Sequence, residues 1–324
     1  MFEELGLLGN AIVLLLSFLV LSKASDVVVE YAEKLAFVTG ISATTIGFLL
    51  ISFSTSLPEF SIALSVLITG EGIGLPFGNV LGANITNITL ILGICYLVLF
   101  LKKGNSNSIN QIQKEEINSL NFGLFIASTI PLALLYLGEA SKFIGIILVF
   151  VFILSSFQIS VSEKEKSEKA SKEERKKIKK YALLIFIGII GVLMCGALIV
   201  DSATYIALEL GVPEVIIGAT IVAFGTTVPE LSVNISAVRK GKIGIMLGNV
   251  IGSCFINITC ILGLALIALP FAVSLSAFTN LVLFSIIAKL FLWYFLSGLK
   301  MTWKEGIIFL FLYGLFLATS FSSY

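Results

Sequence analysis

Ten long apolar runs, separated by short polar breaks, limit what this chain can fold into. A helix needs about 20 mostly apolar residues to cross a bilayer, and most of these runs reach that length. With 57% hydrophobic and 13% charged residues among 324, the chain has too little polar surface for a soluble protein. The sequence therefore predicts an all-α membrane protein with ten transmembrane helices. Their predicted bounds are 7–33, 41–69, 73–101, 122–137, 141–159, 181–208, 213–238, 243–270, 274–298 and 303–321.

The first apolar run could be mistaken for a signal peptide. The chain begins Met-Phe-Glu-Glu, which is acidic where a signal peptide carries positive charge. We therefore interpret this run as the first spanning helix.

The basic residues set the predicted orientation. With the N-terminus outside, 19 of the 21 Lys and Arg residues fall on the cytoplasmic side, nine of them between Lys164 and Lys180. Cytoplasmic segments carry an excess of these residues. We expect a multi-pass protein of the cell (plasma) membrane, with both termini extracellular and the 159–180 loop cytoplasmic. We interpret that loop as a solvated linker, with contact to anionic lipid as the alternative.

Composition excludes several kinds of chemistry. The chain has no histidine, so no imidazole can ligate a metal or relay protons. Four cysteines lie in apolar runs without paired spacing, and we interpret them as free thiols: Cys95, Cys195, Cys254 and Cys260. No nucleophile–base pair is visible, so we expect neither an enzyme nor a cofactor. Beyond transported ions and the lipid bilayer we expect no partner and no nucleic acid, and we expect a monomer.

Two pairs of segments repeat within the chain. Ser52–Glu59 reads Ser-Phe-Ser-Thr-Ser-Leu-Pro-Glu, and 171 positions later Ala223–Glu230 reads Ala-Phe-Gly-Thr-Thr-Val-Pro-Glu. Gly78–Gly93 matches Gly248–Gly263, 170 positions later. Because each half carries five predicted spans, the second half enters the membrane from the opposite side. This pattern predicts two inverted five-helix repeats, which are typical of transporters with a site at the bilayer midplane.

The repeat divides the chain into three parts. Residues 1–158 form the first predicted repeat, with a core at about 41–101. Residues 159–180 form a charged cytoplasmic linker. Residues 181–324 form the second repeat, with a core at about 213–270.

Each repeat carries a glutamate directly after a proline, Glu59 and Glu230. A carboxylate within a membrane span costs at least ~2.5–3.5 kcal/mol and usually has a function. The proline removes a backbone hydrogen bond and interrupts the helix, which leaves carbonyl oxygens free to bind an ion. A buried pair that is only structural is the alternative interpretation.

Polar side chains recur at helical spacing around each glutamate. Thr55 and Thr226 lie four residues before the glutamates, and Ser52 and Ala223 lie seven before. The following spans add matched positions at spacing four: Asn79, Ala83 and Asn87 in the first repeat, and Asn249, Ser253 and Asn257 in the second. These oxygen ligands suit Na⁺ and Ca²⁺, so the sequence predicts a cation site. Hydroxyls that bond back to their own helix are the alternative.

Other small and polar residues of the repeats are interpreted as packing. Gly78 with Gly82, and Gly248 with Gly252, form small-xxx-small patterns typical of close helix contact. Asn84 has Cys254 at the matched position, so packing is favoured there too.

These motifs resemble the alpha repeats of the sodium/calcium exchanger branch of the calcium/cation antiporter superfamily, over essentially the whole chain. The resemblance implies a Na⁺/Ca²⁺ antiporter working by alternating access, with Glu59 and Glu230 holding Ca²⁺ and Thr55 and Thr226 helping. The other implied ligands are Ser56 and Thr227 beside the centre, the carbonyls of Ser52 and Ala223 with Ser253 at Na⁺ sites, and Asn87 and Asn257 facing the centre. Glu30 and Asp201, matched at offset 171, would line vestibules.

The chain departs from the family pattern at a few positions. Ser54 replaces a glycine, and Ala83 stands where a serine hydroxyl would help a Na⁺ site. Asn257 stands where some prokaryotic members carry aspartate. The missing hydroxyl leaves an H⁺-coupled antiporter as the alternative, since buried glutamates can carry protons. A passive cation channel is the alternative from another functional class.

Lys289 lies within the ninth predicted span. It is expected to snorkel to the interface, and a charge that tunes transport is the alternative.

Overall fold

The computed structural model describes residues 6–69, 75–103, 114–137, 139–162, 176–210, 223–268, 271–272, 275–298 and 302–322. The helices of the first half are α1 (Gly6–Thr39), α2 (Ala43–Thr55), α3 (Leu57–Thr69), α4 (75–103), α5 (Lys114–Leu137) and α6 (Lys142–Ser162). Those of the second half are α7 (Ile178–Glu209), α8 (Ala223–Thr226), α9 (Val228–Arg239), α10 (243–268), α11 (Leu275–Ser297) and α12 (Trp303–Ser322). One two-residue antiparallel pairing joins β1 (Glu139–Ala140) to β2 (Phe271–Ala272). The prediction of a helical protein is confirmed.

Several helices are built to face lipid. By length and apolar character, five described segments can cross a membrane: Gly6–Thr39, Gly78–Lys102, Ile178–Ala203, Ile243–Ile267 and Thr279–Ser297. Large apolar side chains such as Leu8 and Phe143 are 75% and 70% exposed. Surface of this kind needs an apolar solvent. The segment of the seventh predicted span at 213–222 lies outside the described residues.

The buried centre of the protein is the contact between α2 and α10, where glycines let the two backbones meet. A Cβ atom at Gly248 would lie 2.1 Å from the carbonyl oxygen of Thr44, and one at Gly252 would lie 2.3 Å from that of Phe48. The packing interpretation is therefore confirmed for the second repeat. A Cβ at Gly82 meets no described atom within 4 Å.

Matched irregularities interrupt the helices of both halves. The helix breaks at Ser56 and at Thr227, just before the Leu-Pro-Glu and Val-Pro-Glu stretches, so each proline falls in the first turn of a new helix. A single π-helical turn begins at Asn87 and another at Asn257. π-turns widen a helix and often mark functional sites. The structure therefore places irregular backbone at both predicted motifs.

Candidate functional site

Two carboxylates lie buried at the helix breaks. Glu59 is 1% exposed and Glu230 is fully buried, and each lies in the first turn of the helix that follows its break. No hydrogen bond of normal geometry reaches the oxygens of either carboxylate, although the hydroxyls of Thr55 and Ser56 lie beside Glu230. Unpaired buried charge is strongly unfavourable. Such a pair is relieved either by a cation bound beside it or by protonation of a carboxylate.

Further polar atoms around the carboxylates are buried and unpaired. Among the described residues they include four oxygens of predicted ligands: Ser56 Oγ, Asn87 Oδ1, Ser253 Oγ and Asn257 Oδ1. A buried polar atom without a partner costs about 1–3 kcal/mol, and native proteins contain few. These oxygens come from both repeats, and with the two carboxylates they are the type of ligand that a hard cation prefers.

Hydroxyl and amide groups link the two repeats at this site. Thr55 Oγ1 lies 3.3 Å from Asn249 Oδ1 and 3.4 Å from Ser52 O of its own helix, and its single proton can be donated to one of these oxygens at a time. Asn249 Nδ2 donates to Asn234 Oδ1 at 3.1 Å. Thr55 can thus bond back to α2 or contact the other repeat, and its role as an ion ligand stays a prediction. The carbonyl of Ser52 also accepts from Ser56 N–H at 3.0 Å, so it keeps a lone pair for an ion only when the Thr55 hydroxyl donates to Asn249.

The remaining predicted ligands differ in how the structure places them. Thr227 is buried and Thr226 is half-buried at the second break. Ala223 begins α8, and its side chain lies outside the described part. Asn79 is half-buried on α4, with no partner for its amide nitrogen and no described hydrogen bond to the other ligands. Ser52 directs its hydroxyl to Phe48 O, away from ligation.

An open cavity reaches the site from one side. It has a volume of about 380 Å³ and is lined by Pro58, Ser61, Gly196, Ala197, Asp201, Thr226 and Pro229, among others. Asp201 is exposed there, as the vestibule prediction requires. Glu30 is also exposed, but it pairs with Lys34 on its own helix at 2.5 Å.

Hydrogen bonds close the contact between α1 and α9, called the α1–α9 seam below. Ser25 and Ser232 share a hydrogen bond of 2.7 Å, and Ser236 donates to Asp26 at 2.6 Å. Lys240 adds a bond to the Asp26 carbonyl at 2.5 Å. At offset 171 the partners of Ser25, Asp26 and Ser232 are Gly196, Ala197 and Ser61, which line the open cavity. A smaller cleft of about 190 Å³ beside the tied seam touches none of the predicted ligands.

Lys289 does not snorkel. It is 1% exposed, and its amine donates to Ala127 O at 2.7 Å and to Ser285 Oγ at 2.8 Å. Ala127 lies four residues before Pro131, which has no N–H to give to that carbonyl. The lysine therefore supplies the hydrogen bond that the proline removes from α5, and the snorkelling interpretation is wrong.

Sequence reasoning missed three features of the site. Asn234 has Ala63 at its matched position, so the internal repeat did not indicate Asn234 as a polar residue of the site. The bonds of Asp26 across the seam join residues about 210 positions apart, which no local pattern reveals. Asn84, interpreted as packing, hydrogen-bonds to the other repeat at Asn257 and Cys254.

Among the described residues, no three His, Cys, Asp or Glu side chains cluster as a metal site. Fold and site together define a multi-pass membrane protein with a pair of buried carboxylates, one from each half.

Comparisons with known proteins agree with this class. The chain matches the family described as sodium/calcium exchanger protein over residues 9–160 and 180–322. It is 30% identical to the inner membrane protein YrbG of Escherichia coli over 89% of each chain. It is 29% identical to the sodium/calcium exchanger MaX1 of Methanosarcina acetivorans, covering 96% of this chain and 98% of that one. A structure of the sodium-calcium exchanger NCX_Mj, soaked with Na⁺ and Sr²⁺, superimposes with a TM-score of 0.83 at 27% identity, over 96% of this chain and 99% of that one.

The chain therefore belongs to the sodium/calcium exchanger family. Its members are membrane transporters that exchange cations, with Na⁺ and Ca²⁺ as transported substrates.

Proposed function

We propose that this protein is a Na⁺-driven Ca²⁺ antiporter of the cell membrane that works by alternating access. The observation that carries the proposal is the pair Glu59 and Glu230, one from each repeat, both buried and with no hydrogen bond of normal geometry to their oxygens. One Ca²⁺ would neutralise both carboxylates, and Na⁺ ions would do so in its absence. A change of conformation with no ion bound would leave two charged carboxylates uncompensated within the membrane, which is costly. The pair thus favours exchange over release without a counter-ion.

We infer that each ion type uses a different part of the site. Ca²⁺ needs carboxylates, so Glu59 and Glu230 would hold it, with Thr55, Ser56 and Asn257 nearby. Na⁺ accepts neutral oxygens, and Ser253 with the carbonyls of Ser52 and Ala223 would supply them. Thr226, Thr227, Asn79, Asn87 and Asn249 complete the proposed set.

We also propose that the ten spans form two inverted five-helix repeats, divided as the sequence predicts. Support comes from the matched helix breaks at Ser56 and Thr227 and the matched π-turns at Asn87 and Asn257. The tied seam at α1 and α9 and the open cavity at α7 and α3 are two states of one repeated contact. Under the positive-inside orientation, the cavity opens outward and the tied seam closes the cytoplasmic path.

The test is radiolabelled Ca²⁺ uptake into proteoliposomes. Uptake should follow an outward Na⁺ gradient at clamped pH and should not follow an outward H⁺ gradient without Na⁺. Glu59→Gln and Glu230→Gln should each reduce uptake below detection, because a single carboxylate cannot balance Ca²⁺. Glu209→Gln, at an exposed carboxylate that ends α7, is the matched control and should transport as the wild type does.

The second candidate is coupling to H⁺, favoured by the alanine at position 83 in place of a hydroxyl. Uptake driven only by the H⁺ gradient would replace the first proposal with this one. Ca²⁺ flux that needs no counter-ion would identify a channel. Wild-type flux in either glutamine variant would remove that glutamate from the proposed site.

A further inference from the structure

The amide of Asn257 can serve a cation only through its oxygen. Its nitrogen must therefore be held away from the ion. In the structure Asn257 Nδ2 donates to Asn84 Oδ1 at 3.0 Å, while Asn257 Oδ1 is buried without a partner. Which end of this amide faces the site thus depends on Asn84.

The orientation of Asn84 is fixed by chemistry. Its Nδ2 donates to the backbone carbonyl of Cys254 at 3.2 Å. A backbone carbonyl can only accept, so Asn84 must turn its NH₂ group towards Cys254. Its oxygen then faces Asn257, so Asn257 must donate from its own NH₂ group. The carbonyl of Cys254 therefore sets the direction of both amides.

We propose that Asn84 is a positioning residue that aims the side-chain oxygen of Asn257 at the transported cation. The proposal rests on the proposed function, because the aimed oxygen acts only if an ion binds there. The arrangement belongs to one half of the protein. The residue matched to Asn84 is Cys254 itself, whose thiol is a weak donor and a weak acceptor. Asn84 is fully buried, so no water competes for its amide.

A carboxylate at position 257 would need no such help, since its two oxygens are equivalent. In the Asn257→Asp background, Asn84 Oδ1 would even face a carboxylate oxygen about where it now accepts an N–H. The same change at Asn84 should then have opposite consequences in the two backgrounds. A residue that only fills space would affect both backgrounds alike.

The experiment is a double-mutant cycle on the purified full chain, with Ca²⁺ alone as the probe. Apparent Ca²⁺ affinity is taken from thermal stabilisation in detergent, which measures binding without transport. Asn84→Ala should weaken Ca²⁺ binding on the order of tenfold, as loss of a residue that orients a ligand does. In the Asn257→Asp background the same change should alter affinity by less than about twofold, or improve it. Asn10→Ala is the control, since Asn10 is fully buried and bonds to Gly6 on its own helix.

Each outcome decides the proposal. Equal losses in both backgrounds, or no loss in either, would overturn it. If Asn84→Ala does not fold, Asn84→Cys introduces the residue type found at the matched buried position and gives the same comparison. Na⁺-driven uptake by the wild type, measured separately, tests the proposed function alone. A wild-type protein that binds no Ca²⁺ would overturn both.

Discussion

One methyl group added at Gly252 should separate the two helices that carry the site. The Cβ of Gly252→Ala would lie 2.3 Å from Phe48 O, 2.6 Å from Ser52 Oγ and 2.7 Å from Phe48 Cα. All three atoms belong to α2, and two of them are backbone. No side-chain rotation relieves these contacts, so α2 must move as a unit. Since Cβ contacts under 3.0 Å essentially never occur, the gap has to open by about 0.7 Å.

The cost follows from this displacement. Overpacking a tight contact costs about 1–3 kcal/mol, and a backbone contact belongs in the upper part of that range. Alanine returns up to about 1 kcal/mol through its helix propensity. The net loss is about 1–2 kcal/mol, or roughly 2–4 °C in melting temperature for a chain of this size. Ion binding should be affected more than stability, because Ca²⁺–oxygen distances span only about 2.3–2.6 Å and a displaced helix would exceed that range.

Two measurements on purified protein check this prediction. Thermal unfolding in detergent, followed by tryptophan fluorescence, should show the lower melting temperature, and Na⁺-driven Ca²⁺ uptake should fall about tenfold or more. Gly314→Ala is the matched control, since a Cβ there meets nothing within 4 Å, and it should keep both properties. Wild-type stability and uptake in Gly252→Ala would mean that α2 and α10 do not meet at backbone contact.

Two further predictions concern the ties outside the ion site. Lys240 also forms a partly exposed ion pair with the Asp26 carboxylate at 3.7 Å. Lys240→Met removes this link between α9 and α1, so labelling of a cysteine introduced beside the α1–α9 contact should rise by up to about fivefold, given ~0–1 kcal/mol for such a pair. Lys34→Met breaks a pair within one helix and should not change labelling; equal effects would refute the link. Lys289→Met leaves Ala127 O without its donor and should lower unfolding free energy by about 1–3 kcal/mol, measured by thermal unfolding. Adding Pro131→Ala restores an N–H and should recover most of the loss; no recovery would show that the lysine does not replace the missing bond.

Sequence alone predicts the helical membrane fold and the two acidic motifs, because both leave local marks. Long apolar runs give the spans, and the Pro-Glu steps at Glu59 and Glu230 place the helix breaks within two or three residues. The carboxylates are buried in the structure, as a paired intramembrane site requires. Hydrogen bonds between the halves leave no such mark. Asn84 and Asn257 are 173 positions apart, and which amide group faces the other depends on a backbone carbonyl.

Lys289 shows a related limit of sequence reasoning. A lysine near a span end is normally free to reach the interface. Its burial is explained by Pro131 on another helix. Because the proline has no N–H, the Ala127 carbonyl is left without a helical donor, and Lys289 donates to it instead. A proline and a lysine 158 positions apart carry no joint signal in one sequence.

The two halves repeat in sequence but differ where a transporter would need them to differ. Ser25 and Asp26 tie the seam between α1 and α9, and their matches Gly196 and Ala197 cannot form those bonds. A strictly symmetric chain would have no intrinsic preference between its two open states. Here the α1–α9 contact gains hydrogen bonds and the matched α7–α3 contact gains a cavity. In the proposed alternating-access cycle this difference would favour the state with the α1–α9 contact closed. Ions bound at the proposed site would then need to supply only the free-energy difference between the two contacts to reverse that preference.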